Sequence, residues 1–258
     1  SCGLVQAGPA LLEWRRGGAA PALSGESVVV LARLLRQTLG ILVKDAILEW
    51  RGRSRFLAVL LFGVVTLLLF SFAVGPDTTM LRAGSGGFLV LALLLSSTLG
   101  LQESFRLEQE HRAMEGLLLL PVEPVAIFLG KLIGNALFLF LLLPILAPIA
   151  LVLYAHEIQG DKMAALAGLW FLAALGLAAP GTLYSAMTSR LRGRDVLLPL
   201  LLFPVVMPIL MAVVKAMGLV LEGDPMGQLG SWTLLLTVFD AVFLALCPAL
   251  APFVFEED

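Results

Sequence analysis

Arg51-Gly-Arg-Ser-Arg-Phe-Leu-Ala-Val-Leu-Leu-Phe-Gly-Val-Val-Thr-Leu-Leu-Leu-Phe-Ser-Phe-Ala-Val74 decides the fold. Three arginines stand directly before an uncharged run, 56–74, that is long enough as a helix to cross a ~30 Å hydrocarbon layer. Arg51, Arg53 and Arg55 are placed to meet anionic lipid headgroups, and Trp50 suits the same interface. Working outward, five more runs of this kind follow, at 86–102, 125–153, 163–187, 196–217 and 231–254. The third is the longest and holds Pro144 and Pro148, so tilt or a kink must absorb its excess length.

Composition agrees. Of 258 residues 59% are apolar and only 14% charged, and the mean hydropathy is +0.98. One soluble globule cannot hide that much apolar surface and still be covered by polar groups. The bilayer is therefore the solvent. Seventeen Lys+Arg against nineteen Asp+Glu leave a net charge of -2, which argues against nucleic acid as a partner. Cys2 and Cys247 lie far apart and belong to no C-x-x-C pair, so neither a disulfide framework nor a metal site is expected. Leu4 to Leu23 is broken by Gly, Pro, Glu13, Arg15 and Arg16, unlike the apolar core of a secretory signal.

Three regions follow: a loose N-terminal tail over 1–26, an amphipathic interfacial helix over 27–55, and a six-helix transmembrane domain over 56–258. In the second, Arg33, Arg36, Gln37, Gly40 and Lys44 form one stripe, with Leu34, Leu35, Leu39, Leu42, Ile47 and Leu48 around the rest of the wheel. Basic residues near span ends mark the cytoplasmic side. Placing the N-terminus inside puts ten of them there (Lys44, Arg51, Arg53, Arg55, Arg106, Arg112, Lys131, Arg190, Arg192 and Arg194). Only Arg82, Lys162 and Lys215 fall outside. Six spans return the C-terminus to the cytoplasm, and the external links are short.

The stretch from Glu103 to Pro121 carries six charges of both signs before Leu117 to Leu120 and a proline stop. It reads as a short cytoplasmic interfacial helix. Two roles are open on pattern alone: a solvated segment with internal ion pairs, or a face that docks in a groove on a cytoplasmic partner. The second would make Arg106, Glu108, Glu110, Arg112, Glu115 and Gly116 a coupling site.

Several stretches in fixed order resemble one family. They are Lys44-Asp45 through Arg55, Leu67 through Asp77, Ser104-Phe105 through Val122, Phe128-Leu-Gly-Lys131, and Arg192-Gly-Arg-Asp-Val-Leu-Leu-Pro-Leu-Leu-Leu-Phe-Pro204. Over roughly 30–257 the chain resembles the cytochrome c maturation protein B family of haem-exporter permeases. The resemblance implies an all-α membrane protein of six spans, similar to ABC-2-type exporter permeases, with a coupling helix at 104–120 on which an ATPase pushes. The implied partners are a cytoplasmic ABC ATPase, a haem-handling membrane protein, a small membrane subunit and a periplasmic haem chaperone. The implied place is a bacterial-type inner membrane. Independently, Gly130-Lys131 is no phosphate-binding loop, because Val125 replaces its first glycine and Leu132 its hydroxyl residue. ATP is expected on a partner, and the chain is expected to be no enzyme.

Haem is also expected on partners, with no cofactor held directly. His111 and His156 fall on opposite sides of the membrane in this topology, and the tryptophans are scattered. Met207 and Met211, four apart, share a helix face but suit packing. Asp240, about nine residues into the sixth span, is an acid in an expensive place and is expected to pair with Lys215. Pro199, Pro204 and Pro208 weaken the fifth span's backbone ladder. The competing function is a permease for a lipid, a polysaccharide or a hydrophobic drug. A membrane enzyme lacks any catalytic constellation on one side of the bilayer.

Overall fold

The structure is a computed structural model that describes residues 25–51, 53–110, 123–154, 162–189, 191 and 194–256. The described residues form seven helices: α1 Gly25–Arg51, α2 Arg53–Val74, α3 Thr78–Glu110, α4 Pro124–Leu153, α5 Lys162–Ser189, α6 Arg194–Glu222 and α7 Leu229–Glu256. Six of these, α2 to α7, are long and apolar enough to cross a membrane. They match the six runs read from sequence, with α3 beginning eight residues earlier, at Thr78 rather than 86. The helix expected over 27–55 ends at Arg51, and Arg53 to Arg55 open α2; Gly52 between them lies outside the described residues.

The helix ends follow from local chemistry. Gly75 closes α2 at φ 78, a conformation that β-carbon-bearing residues resist, and its N–H reaches back to the Ser71 carbonyl at 3.1 Å. Asp77 then caps α3: its Oδ1 accepts from the Thr79 hydroxyl at 2.6 Å, the Thr79 N–H at 2.9 Å and the Met80 N–H at 3.3 Å. These bonds, the Thr79 hydroxyl foremost, hold the Asp77 carboxyl below the usual carboxylate range. Asp224 does the same for α7 through the Leu229 and Gln228 N–H groups, each at 2.8 Å, and is likewise lowered. Pro124 occupies the first turn of α4, where its missing N–H costs nothing.

Burial sorts the spans into layers. In the most apolar stretches, 67% of α3 and 56% of α5 is buried, against 22% of α2 and of α7. α5 packs on α3, α4, α6 and α7, so it is the central post. Among its buried residues are the small Ala173, Ala174, Gly176, Ala178, Ala179 and Gly181, between larger ones such as Trp170 and Leu177. Small residues let backbones approach closely where no hydrophobic force drives helices together inside lipid. A large apolar cluster fills the body of the bundle. A smaller one joins Ile41 of α1 to Phe128, Leu132, Leu183 and Cys247. By this second cluster α1 is seated against α4 rather than lying apart from the bundle.

Candidate functional site

The polar chemistry of the bundle gathers where α3 leaves its apolar stretch. Here the sequence Ser96-Ser-Thr-Leu-Gly-Leu-Gln-Glu-Ser104 places small and polar residues in the most buried span. Ser97 and Thr98 satisfy their hydroxyls on α3's own carbonyls, those of Leu94 and Leu95, both at 2.7 Å. The next turn is held from outside. Arg55 of α2 donates to the Gly100 carbonyl at 2.8 Å, with its guanidinium 4.6 Å from the Phe138 ring centre. Ser185 of α5 donates to the Leu101 carbonyl at 2.9 Å, and Lys131 of α4 donates to the Ser104 carbonyl at 3.3 Å. Three helices thus grip one turn of α3 by its main chain.

Lys131 extends the grip to α1. Its ammonium, on a side chain only 2% exposed, lies 3.3 Å from Oδ2 of Asp45, whose other oxygen is 3.1 Å from Lys44. A charge seven residues into a membrane helix is costly unless a counter-charge and hydrogen bonds meet it. Asp45 and the Ser104 carbonyl meet it here. One turn deeper, the Asn135 amide donates to the Thr182 hydroxyl at 3.0 Å, joining α4 to α5 with both side chains buried. Gly130 lets α1 come this close: a β-carbon there would lie 2.8 Å from Cβ and Cγ2 of Ile41 and 3.2 Å from the Thr38 carbonyl.

Two expectations are corrected. Arg55 was placed at lipid headgroups, yet it is turned into the protein onto α3. A buried carbonyl and an aromatic face offer the guanidinium a fixed partner that a fluid headgroup layer does not. The second is the Lys215–Asp240 pair, which is not made. Asp240 is 4% exposed and neither carboxyl oxygen has a hydrogen-bond partner, whereas Lys215 is exposed on α6. A β-carbon at Gly176 would meet Oδ1 of Asp240 at 2.6 Å and overlap Cδ1 of Ile209, so Asp240 faces the α5–α6 contact. Lys215 follows Ile209 by six residues, about 600° of helix turn, and so points roughly 120° away from that contact. It continues the exposed stripe that carries Met207 and Met211. Lys215→Met and Asp240→Asn are accordingly expected to act independently. A double-mutant cycle on unfolding in detergent should give a coupling below about 0.5 kcal/mol, and a larger one would reinstate the pair.

The proposed coupling residues divide. Arg106, Glu108 and Glu110 lie on α3, which runs without a break from Thr78 through Glu110. Gln102, Glu103, Leu107 and Glu108 are good helix formers with no proline among them, so the charged segment continues the span. Arg112, Glu115, Gly116 and His111 lie outside the described residues, as does His156. Among the described residues no three His, Cys, Asp or Glu side chains gather to hold a metal ion. Asn135, Thr182 and Ser185 were not singled out by sequence reasoning, and Asp45 and Lys131 entered it only through the resembling stretches and, for Lys131, the count of basic residues. The signal for Lys131 was present: the argument that a charge inside a span demands a partner applies to it as well as to Asp240.

These features define a class: a multi-pass, all-α membrane protein of six spans, whose buried polar groups join helices to one another. The chain belongs to the CcmB protein family, whose description matches residues 36–256. It is similar to heme exporter protein B of Pseudomonas aeruginosa, 30% identical over 211 residues, covering 81% of this chain and 91% of that relative. Heme exporter protein B of Escherichia coli is 33% identical over 60% of this chain and 70% of its own length. The protein of the same name from Rhodobacter capsulatus is 30% identical over 66% of this chain and 77% of its own.

Proposed function

We propose that this chain is the permease subunit of an ATP-driven haem-export complex for cytochrome c maturation. It sits in a bacterial-type inner membrane with both termini cytoplasmic. Membership of the CcmB family and the printed name of its relatives support haem export. The partners are a cytoplasmic ABC ATPase that binds the ATP, a haem-handling membrane protein and a small membrane subunit, and a periplasmic haem chaperone. Haem is held by partners, and the chain itself is a non-catalytic coupling element.

The observation that carries this reading is the grip on α3. As a single helix of 33 residues, α3 is a rod about 50 Å long. Its charged end, with Arg106, Glu108 and Glu110, projects beyond the gripped turn. A push by the ATPase on that end, and on Arg112, Glu115 and Gly116 beyond it, moves Gly100, Leu101 and Ser104. Arg55, Ser185 and Lys131 pass the movement to α2, α5 and α4, and Asp45 passes it to α1. No route for haem through this chain is required; the strokes of the ATPase reach the far side as helix tilt and free the loaded chaperone.

Reversing Glu108 and Glu110 together to lysine is expected to leave membrane insertion intact and to cut c-type cytochrome yield at least tenfold, with complex ATPase activity no longer responding to the chaperone. Normal cytochrome yield with unchanged ATPase activity would remove this segment as the lever.

A further inference from the structure

An open groove of about 380 Å³ lies between α5, α6 and α7, walled by Ala165, Gly168, Leu172, Val220, Leu229 and Thr233. Phe171, 52% exposed, is also in its lining. The wall is apolar apart from the Thr233 hydroxyl, which is already spent on the Leu229 and Gly230 carbonyls, each at 3.0 Å. A cation stands just beyond one end of the groove, outside its lining. Lys162, the first residue of α5, stands about one turn before Ala165, which lines the groove. Its ammonium donates to the Leu221 carbonyl at 3.0 Å, next to Val220 in the groove wall. That bond uses one of three donors and fixes the cation over the groove's end. Of the two acids nearby among the described residues, Asp224 is engaged by the N–H groups of Gln228 and Leu229, and Glu222 is exposed.

We propose that this groove is a binding site for a single phospholipid, one acyl chain lying along Gly168 and its phosphate meeting Lys162. A dry slot in a membrane helix surface, closed at the interface by one fixed cation, has the polarity sequence of a lipid: apolar tail, then anion. The groove runs along α5 from Ala165 to Leu172, about 10 Å, and ends beside the Leu221 carbonyl that holds the Lys162 ammonium. Its volume falls at the low end of known small-ligand sites, ~300–1,000 Å³.

Gly168 makes the test clean. A β-carbon added there meets nothing within 4 Å, so the stem of a Gly168→Leu side chain is accommodated and its branches are directed to occupy the groove. Thr233→Leu narrows the groove from the α7 wall and serves as a second, independent variant. The full chain is purified in detergent, incubated with palmitoyl-oleoyl phosphatidylglycerol or phosphatidylcholine, and its retained lipids are counted by native mass spectrometry. Wild type is expected to retain one lipid more than either variant. It is also expected to favour phosphatidylglycerol about fivefold, a preference that Lys162→Gln removes while keeping a donor for the Leu221 carbonyl. Equal retention by wild type and both filled variants would overturn the site. A photo-crosslinker at Phe171 that captures a polypeptide instead of lipid in the native membrane would overturn it equally.

Discussion

Asp45→Ala is expected to destabilise the protein by about 3 kcal/mol, more than Lys131→Met, which is expected to cost about 1 kcal/mol. The order follows from burial. Removing Asp45 takes a carboxylate partner from a lysine that is 2% exposed, where water has little access to replace it. Removing the lysine charge leaves a carboxylate that is 20% exposed and 3.1 Å from Lys44. The double variant should therefore lie close to Lys131→Met alone, because the methionine no longer needs a counter-charge. Unfolding of the four proteins in mixed detergent micelles measures this, and equal losses from the two single changes would show that the pair is not a buried one. If the lever runs through this contact, Asp45→Ala also severs α1 from α3, and cytochrome yield should fall with it.

The second large effect lies on the same helix. Gly130→Ala adds one methyl group, yet about 2 kcal/mol is expected, within the range for overpacking. The obstacles are the branched stem of Ile41 at 2.8 Å and the main-chain oxygen of Thr38 at 3.2 Å, and neither swings aside by a rotamer change. α1 has to move off. The control is Gly134→Ala, one turn on, where the nearest atom is the tip of Leu42 at 3.8 Å and no loss is expected. Gly176→Ala should also be milder, because the parts in its way are the ends of the Ile209 and Asp240 side chains. A cysteine at Thr38, 6% exposed in the native chain, reports the movement: its labelling by a water-soluble maleimide should rise in Gly130→Ala and stay low in Gly134→Ala.

The transmembrane fold was legible because its cause is one-dimensional. A helix satisfies its own backbone, so length and apolarity of a single segment are sufficient to place it. The second span was read from 86, yet its helix begins at Thr78, where the Asp77 cap and the packing of α3 on α6 override the preference of Gly84, Ser85 and Gly86 for a loop. The site was less legible. Carboxylate, lysine and carbonyl come from positions 45, 131 and 104, and nothing periodic along the chain links them. Positive charge near span ends was counted for topology, which treats Arg55 and Lys131 as equivalent to lysines in a loop. The structure separates them by partner: a carbonyl for the first, a carboxylate and a carbonyl for the second. Asp240 was recognised as exceptional, but the choice of Lys215 as its mate ignored the angular position of that lysine on α6.

The handles on α3 at positions 100, 101 and 104 are oxygen atoms that every amino acid possesses. The polar chemistry of the junction resides in Arg55, Lys131 and Ser185 on the surrounding helices, while α3 supplies main chain and, at Gly100, the missing side chain that admits the Phe138 ring, which a β-carbon would approach to 2.7 Å.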